Sequence, residues 1–319
     1  MKILFQSADA DAQASLDLLA RQLPQAHFDL WPQAAREGQA GSEGQAAREG
    51  HDVAVCWKPP PGFFRGRRFR AIFNMGAGVD ALLQDPDLPA DTPIFRLEDA
   101  GMAEQMEEYV AWAALGYLRN MDVYARQQKR AEWTQLDPRP RENFCIGIMG
   151  LGLLGQRVAR YLRAMGFPVR GWNRSERSID GVTCHVGEAG LGEFLANTHM
   201  LVCMLPLTPA TQGVLNRALL AQLPRGAYLV SIGRGLHLVE TDLLNALDSG
   251  HLAGALLDVM PQEPLPADHV FWRHPLITIT PHISAQTLME ASMHQIAEKI
   301  GAFMRGEAVS GLIDRNQGY

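Results

Sequence analysis

An apolar run, Phe144-Cys145-Ile146-Gly147-Ile148-Met149, passes directly into Gly150-Leu151-Gly152-Leu153-Leu154-Gly155. Strand, glycine turn and helix start in that order point to a parallel α/β architecture, because the turn joins a buried strand to a helix that packs back on it. The three glycines have separate tasks. Gly150 permits the tight turn, Gly152 lets the backbone come close to a ligand, and Gly155 lets the helix approach the strand. A helix N-terminus at Leu153 and Leu154 then faces an anion, which suits a dinucleotide pyrophosphate. Glycines at this spacing also occur in plain turns, so the flanks decide. Here Val158, Tyr161, Leu162 and Met165 recur at helical spacing, Gly166 and Pro168 punctuate, and Val169-Arg170-Gly171-Trp172 reads as the next buried strand.

The residue that ends this second strand is Asn173. An acidic side chain at that place accepts hydrogen bonds from the adenosine ribose 2′-hydroxyl and repels a 2′-phosphate; Asn173 does not repel it. Arg174 follows with a planar fork suited to phosphate, while Ser175 and Arg177 add a hydroxyl and a second positive charge. The pattern predicts NADP(H) as the preferred cofactor, with NAD(H) as the possible substitute. The competing account makes Arg170, Arg174 and Arg177 an ordinary solvated face.

With 319 residues, 47% of them hydrophobic, the chain can bury one large or two medium cores. A formal net charge of -6 without any Lys/Arg-rich run argues against a nucleic-acid surface. Cys56, Cys145, Cys184 and Cys203 have neither metal-ligand spacing nor disulfide density, so no metal site is expected, and they read as small core hydrophobes of a reducing compartment. The Met1-Lys2-Ile3-Leu4-Phe5 start is too short for a signal-peptide core, and no apolar run reaches membrane-spanning length. These features predict a soluble, cytoplasmic protein with no membrane partner.

Strand-like runs alternate with helical patterns in two units. The first contains strands near Lys2–Phe5, Phe28–Trp31, Val53–Trp57, Ala71–Asn74 and Ile94–Arg96, with a helix from Ala12 to Leu23. The second repeats the alternation through Leu201–Leu205, Tyr228–Ile232, Ala255–Val259 and Ile277–Thr280. One long helix is expected within Gly101–Gln128, and another within Leu288–Met304. Gln33-Ala34-Ala35-Arg36-Glu37-Gly38 recurs at 45–50 and lacks large apolar side chains, which predicts a surface loop without a catalytic role.

Polar residues follow three successive strand-like runs of the second unit, where such sheets place ligands. Arg234, between Gly233 and Gly235, offers a guanidinium that can bind a 2-oxo acid carboxylate in bidentate fashion and polarise the adjacent carbonyl. His282 can protonate the oxygen when a hydride reaches the carbonyl carbon, and Glu263 can orient it and favour its charged form. Singly, each also reads as an ordinary loop residue.

The fingerprint, Ser231-Ile232-Gly233-Arg234-Gly235, Leu257-Asp258-Val259-Met260-Pro261-Gln262-Glu263-Pro264-Leu265 and Thr280-Pro281-His282 resemble the D-2-hydroxyacid dehydrogenase family. Phe95-Arg96-Leu97-Glu98-Asp99-Ala100-Gly101-Met102, Glu104-Gln105-Met106, the Asn173-Arg174-Ser175 turn and the ending Asp314–Tyr319 are most similar to its reductases of small 2-oxo acids. The resemblance covers the chain apart from 33–50. It implies two doubly wound, Rossmann-like parallel-sheet domains with the active site in the cleft between them, and a homodimer. A discontinuous substrate-binding domain would take 1–105 and 288–319, and the dinucleotide-binding domain 106–287.

Carried over position by position, the resemblance makes Arg234 a substrate ligand, His282 the acid/base and Glu263 its partner. It places Asp258 near the nicotinamide, and Ile232 and the Leu205-Pro206-Leu207-Thr208-Pro209 loop beside the cofactor, with Thr211 reaching its ribose or pyrophosphate. In the first domain, the N–H groups of Ala77 and Gly78 would receive the substrate carboxylate, and Trp57 would line the pocket. Lys58 either adds positive charge there or points to solvent. The implied activity is NADPH-dependent reduction of glyoxylate to glycolate and hydroxypyruvate to D-glycerate. A dehydrogenase for a bulkier 2-oxo acid and a nicotinamide-sensing binding protein are the alternatives, and the Arg-Glu-His set favours an enzyme.

Overall fold

The computed structural model describes residues 1–9, 11–31 and 50–318. The repeated segment at 33–50 lies outside them except for Gly50. The chain divides into two compact units, Met1–Gly101 with Thr287–Tyr319, and Met102–Gln286. The crossings therefore fall at 101/102 and 286/287, where the sequence suggested 105/106 and 287/288, because residues 102–105 are the first turn of a helix belonging to the second unit.

In the first unit, β1 (Lys2–Ser7), α1 (Ala12–Gln22), β2 (His27–Leu30), β3 (Val53–Trp57), β4 (Ala71–Asn74), α2 (Asp80–Leu83) and β5 (Ile94–Arg96) form a five-stranded parallel sheet. Its order is β2-β1-β3-β4-β5. Ile3 to Phe5, Val53 to Cys56 and Ala71 to Phe73 are buried throughout, as expected of strands covered on both faces.

The second unit opens with α3 (Met102–Leu118) and α4 (Met121–Lys129). A single helix was expected here; the break is at Asn120, whose φ of +57° is a left-handed conformation that asparagine tolerates better than most residues. The sheet then follows as β6 (Ile146–Met149), α5 (Leu153–Ala164), β7 (Val169–Asn173), β8 (Thr183–Val186), α6 (Gly187–Ala196) and β9 (Met200–Cys203). It continues through α7 (Arg217–Leu220), β10 (Ala227–Ser231), α8 (Glu240–Asp248), β11 (Leu252–Leu257) and β12 (Ile277–Ile279). All seven strands are parallel, in the order β12-β11-β10-β9-β6-β7-β8.

β6 lies where the winding reverses: the chain runs outward through β7 and β8, returns to β9 on the other side, and continues outward to β12. Such a switch point opens a crevice at the carboxyl ends of the strands. Strand alternation divides the core into two layers. Ile146, Ile148, Met200, Val202, Tyr228 and Val230 face one side with α3 and α5, while Met149, Leu201, Cys203, Ala227 and Leu229 face the other with α6 and α8.

The buried stripe of α5 is Gly155, Val158, Ala159 and Leu162, whereas Tyr161 is exposed and Met165 only partly covered. β8 was missed because Thr-Cys-His-Val is short, polar and at the sheet edge, with only His185 buried. Among the described residues no helix is long and apolar enough to cross a membrane.

The chain returns to the first unit as α9 (Met289–Met304), which packs on α1. The tail beyond it extends the sheet edge: Leu312 forms an antiparallel bridge with Phe95, and Ile313 N–H donates to the Ile94 carbonyl at 2.9 Å. One ion pair locks this closure. The buried Lys299 Nζ of α9 donates to Glu98 Oε2 at 3.1 Å and to the Ser310 carbonyl at 2.8 Å. Burial alone would raise the Glu98 carboxyl, but hydrogen bonds from Ser310 and Lys299 and the charges of Lys299 and Arg96 outweigh it and hold it below its ordinary value.

A folded-state value below the unfolded one means that the carboxylate's contribution is present above the ordinary 4.5 and is lost as pH falls through the folded value. Glu98→Gln, which leaves the Lys299 ammonium buried without its counter-charge, should cost about 1–3 kcal/mol at neutral pH. Urea titrations of the variant and the wild type should converge below pH 4.5; equal midpoints at pH 7 would refute the role.

Candidate active site

In the second unit, backbone proximity rather than side chains shapes the turn after β6. Gly150 has φ +110°, and a Cβ there would come 2.9 Å from the Met204 carbonyl beyond β9. A Cβ on Gly155 would lie 2.0 Å from the Gly150 oxygen. Both positions therefore require glycine for the fold itself. Gly152 differs, because a Cβ there meets nothing within 4 Å and its φ is -71°. It forms the N-cap of α5 without any side-chain cap, next to the exposed Leu153 and the half-buried Leu154. An uncapped helix start behind a backbone clear of side chains fits a pyrophosphate.

At the end of β7, Asn173 Oδ1 accepts from the Leu151 N–H at 3.3 Å, and Nδ2 donates to the Ser175 carbonyl at 3.0 Å. Asn173 thus shapes the turn that presents the exposed Arg174 and Ser175. Arg170 belongs elsewhere: its guanidinium lies 3.1 Å from His185 Nε2 and 3.9 Å from Glu193, so it does not add to that charge. After β9, Leu205 is buried and Pro206 half-buried. The Thr211 hydroxyl donates to the Pro206 carbonyl at 2.7 Å and accepts from the Thr208 N–H at 2.8 Å. These bonds hold its own loop.

After β10 come buried Ile232, Gly233 and half-buried Arg234, one of whose guanidinium nitrogens donates to the Gly233 carbonyl at 2.7 Å. A Cβ on Gly235 would sit 1.9 Å from the Met260 carbonyl carbon, so the turn carrying Arg234 is pressed against the segment carrying Glu263. Glu263 Oε1 accepts from the Met260 N–H at 2.9 Å, and Oε2 lies 2.8 Å from His282 Nδ1. The pairing, separated by 19 residues in sequence, is direct. With an acceptor-only carboxylate on one side, Nδ1 is the donor, and Nε2 is the ring nitrogen that Glu263 does not engage. Side-chain exposures of 42% for His282 and 38% for Glu263 leave the pair open to a small molecule.

Asp258, expected near the nicotinamide, is buried and committed to the backbone that carries His282. Its Oδ1 accepts from the Thr280 hydroxyl at 2.6 Å and the Ile283 N–H at 2.8 Å, and its Oδ2 from the Ser284 N–H at 2.9 Å. Its own carbonyl accepts from the His282 N–H at 2.9 Å. Two residues of α3 complete this support: Tyr109, which carries no sequence signal of its own, and Gln105 of the Glu104-Gln105-Met106 motif. Tyr109 lies 2.5 Å from Thr280 Oγ1 and must be the donor, since the Thr280 proton goes to Asp258. Burial, with the charge of Asp258, pushes its phenol above the ordinary range and keeps it protonated. Gln105, one turn earlier, exchanges two bonds with the Gln286 backbone at 2.9 and 3.0 Å. Spacing four apart on one helix face was the available signal. His237, fully buried after Arg234, was missed.

In the first unit, Trp57 ends β3 with its ring against Gly76, where a Cβ would approach the indole to 2.0 Å. The Asn74 amide donates to the Gly76 and Gly78 carbonyls at 2.8 and 3.0 Å and curls the loop. Among the described residues, the N–H groups of Ala77 and Gly78 meet no acceptor. Lys58, with φ +45°, places its ammonium 5.4 Å from the Trp57 ring centroid.

Residues 111–284 match the family model described as D-isomer specific 2-hydroxyacid dehydrogenase, NAD binding domain. The chain is 45% identical to the glyoxylate/hydroxypyruvate reductase A of Serratia proteamaculans over 325 residues, covering 100% of both. A crystal structure of a D-isomer specific 2-hydroxyacid dehydrogenase from Xanthobacter autotrophicus, in complex with NADPH and MES, is similar with a TM-score of 0.91 at 36% identity, covering 100% of this chain and 99% of that one. An NADPH-dependent glyoxylate/hydroxypyruvate reductase from Sinorhizobium meliloti, in complex with NADP and sulfate, gives a TM-score of 0.89 at 36% identity, with 100% and 99% covered.

Nothing in the protein surrounds a Cβ at Gly152, so a methyl group there would project into the space open to a ligand. Gly152→Ala should cost the fold no more than about 1 kcal/mol, the difference between the two residues as an N-cap, while weakening NADPH binding by about tenfold or more, read by quenching or enhancement of nucleotide fluorescence. Unaltered affinity would remove the pyrophosphate from this turn.

Proposed function

The chain belongs to the D-isomer specific 2-hydroxyacid dehydrogenase family, and from that premise we propose that it is an NADPH-preferring reductase of small 2-oxo acids, taking glyoxylate to glycolate and hydroxypyruvate to D-glycerate. One contact carries this function above all others: His282 Nδ1 donates to Glu263 Oε2 at 2.8 Å, beyond the sheet end that also bears the glycine turn and Arg234. The full-length similarity to glyoxylate/hydroxypyruvate reductase A supports the substrate class.

The cofactor would be held by Gly150, Gly152, Leu153, Leu154 and Gly155 at its pyrophosphate, by the Asn173-Arg174-Ser175 turn at its adenosine end, and by the Leu205–Pro206 loop and Ile232 along its length. When bound, it supplies the hydride that reduces the carbonyl carbon. Arg234 binds the substrate carboxylate and polarises the carbonyl oxygen. Taken by itself, the first unit offers the N–H groups of Ala77 and Gly78 as donors suited to a carboxylate. Trp57 bounds the space beside those amides. His282 gives its Nε2 proton to the carbonyl oxygen, and the Glu263 carboxylate, accepting from Nδ1, fixes the ring. Asp258 and Thr211 hold loop backbone so that these groups stay in place.

We further propose a cytoplasmic homodimer. Trp112, Leu115, Met121 and Trp133 of the second unit expose large apolar surfaces at 56%, 38%, 57% and 101%, and a second copy of the chain is the expected cover. Light scattering should return twice the 35.2 kDa chain mass; a monomer would end this part of the proposal.

Purified enzyme should consume NADPH rapidly with glyoxylate and hydroxypyruvate and more slowly with phenylpyruvate, and NADH should be the poorer donor. Tight NADPH binding without turnover of any 2-oxo acid would instead favour a nicotinamide sensor. Arg174→Ala should weaken NADPH binding about tenfold with little change for NADH. His282→Asn should lower kcat by about 10²–10⁴ while the NADPH Kd stays within about twofold; equal losses in both would contradict its role as proton donor.

A further inference from the structure

We propose that His237 is a positioning residue that ties the substrate-binding arginine to the loop beside the cofactor, an assignment resting on the reductase reading above. Its imidazole is fully buried and lies between two active-site segments. Nδ1 accepts the backbone N–H of Arg234 at 3.2 Å, and Nε2 lies 3.3 Å from the Pro206 carbonyl. An N–H donor at Nδ1 and a carbonyl at Nε2 fit one form only, the neutral ring with its proton on Nε2. The ring therefore reads both segments at once: a backbone donor after β10 and a backbone acceptor after β9.

The surroundings leave it little freedom. A Cβ on Gly233 would lie 3.2 Å from the ring and 2.9 Å from the Leu205 carbonyl, so Gly233 lets the imidazole and the loop pack together. Cys203 Sγ lies 3.9 Å from Nδ1, and burial pushes that thiol up to about 12, so the ring faces a neutral neighbour. A plain core filler would take the imidazole acceptor from the Arg234 N–H and leave the Pro206 carbonyl to the Thr211 hydroxyl alone, and an orphaned buried N–H is costly.

The two bonds can be separated chemically. In His237→Asn, Oδ1 falls near the place of Nδ1 and can accept from Arg234, but nothing reaches Pro206. In His237→Gln, the terminal amide falls near Nε2 and can donate to Pro206 while the Arg234 N–H loses its acceptor. His237→Leu keeps bulk and loses both. Expected results are a KM for glyoxylate raised about tenfold or more in Leu and Gln and within about threefold of wild type in Asn, and an NADPH Kd raised in Leu and Asn but near wild type in Gln. The same contrast should appear without turnover, in the oxalate concentration that perturbs the fluorescence of bound NADPH.

All variants keeping both constants within about twofold, whatever their thermal midpoints, would reduce His237 to a core residue; so would Asn and Gln behaving alike. If Leu does not fold, the Asn–Gln contrast still decides. A wild-type protein that reduces no 2-oxo acid overturns the reductase reading alone, and the NADPH and oxalate titrations then judge the positioning role.

Discussion

The second unit depends on how closely a strand, a turn and a helix approach one another at Gly150 and Gly155. A side chain at either place would penetrate backbone, that of Met204 in one case and of Gly150 itself in the other. This approach draws the end of β6 against the end of β9, at the point where the winding of the sheet reverses. From there the loops after β7, β9, β10, β11 and β12 all leave from the same end of one parallel sheet. Residues as distant in sequence as Asn173, Arg234 and His282 share that end because every parallel strand delivers its carboxyl terminus there.

Loops gathered at a crowded sheet end carry backbone polar groups that must find partners. In this protein short side chains provide them. Asp258 takes two amides and a hydroxyl, Thr211 bridges the Pro206 carbonyl and the Thr208 amide, and Asn74 curls the 76–78 loop of the first unit. Such residues were read from the sequence as direct ligands or passed over. Their common task is to fix backbone within their own unit, which pre-organises the loops of that unit.

The sheets were legible because strands covered on both faces are continuous apolar runs, and Val53–Trp57 and Tyr228–Ile232 could hardly be anything else. The glycine turn was legible because its geometry is local to a motif, whereas the Glu263–His282 contact joins two separate loops. Features decided by tertiary pairing were less so. β8 has no apolar run to announce it, the helix break at Asn120 rests on one tolerated backbone conformation, and Arg170 is not an ordinary solvated arginine but lies against His185 and Glu193. Gln105 and Tyr109 lie within an otherwise ordinary helix, and nothing nearby in sequence shows that their partners are Gln286 and Thr280. His237 follows the same rule: its partners are two backbone atoms, which carry no sequence signature.

His282 combines both constraints. Its φ of +55° is a left-handed conformation that glycine would adopt without strain, and a residue with a side chain holds it at a cost of order 1 kcal/mol. The conformation persists because the peptide is fastened on both sides, by the His282 N–H to the Asp258 carbonyl and by the Ile283 and Ser284 N–H groups to the Asp258 carboxylate. One acidic residue at the end of β11 thereby determines the backbone from which the imidazole projects, while a second, Glu263, determines the rotation of its ring. The two carboxylates divide the work that a single neighbour could not do. Glu263 can serve the proton on Nδ1 only if the backbone has already delivered the ring to it, and that delivery is Asp258's contribution.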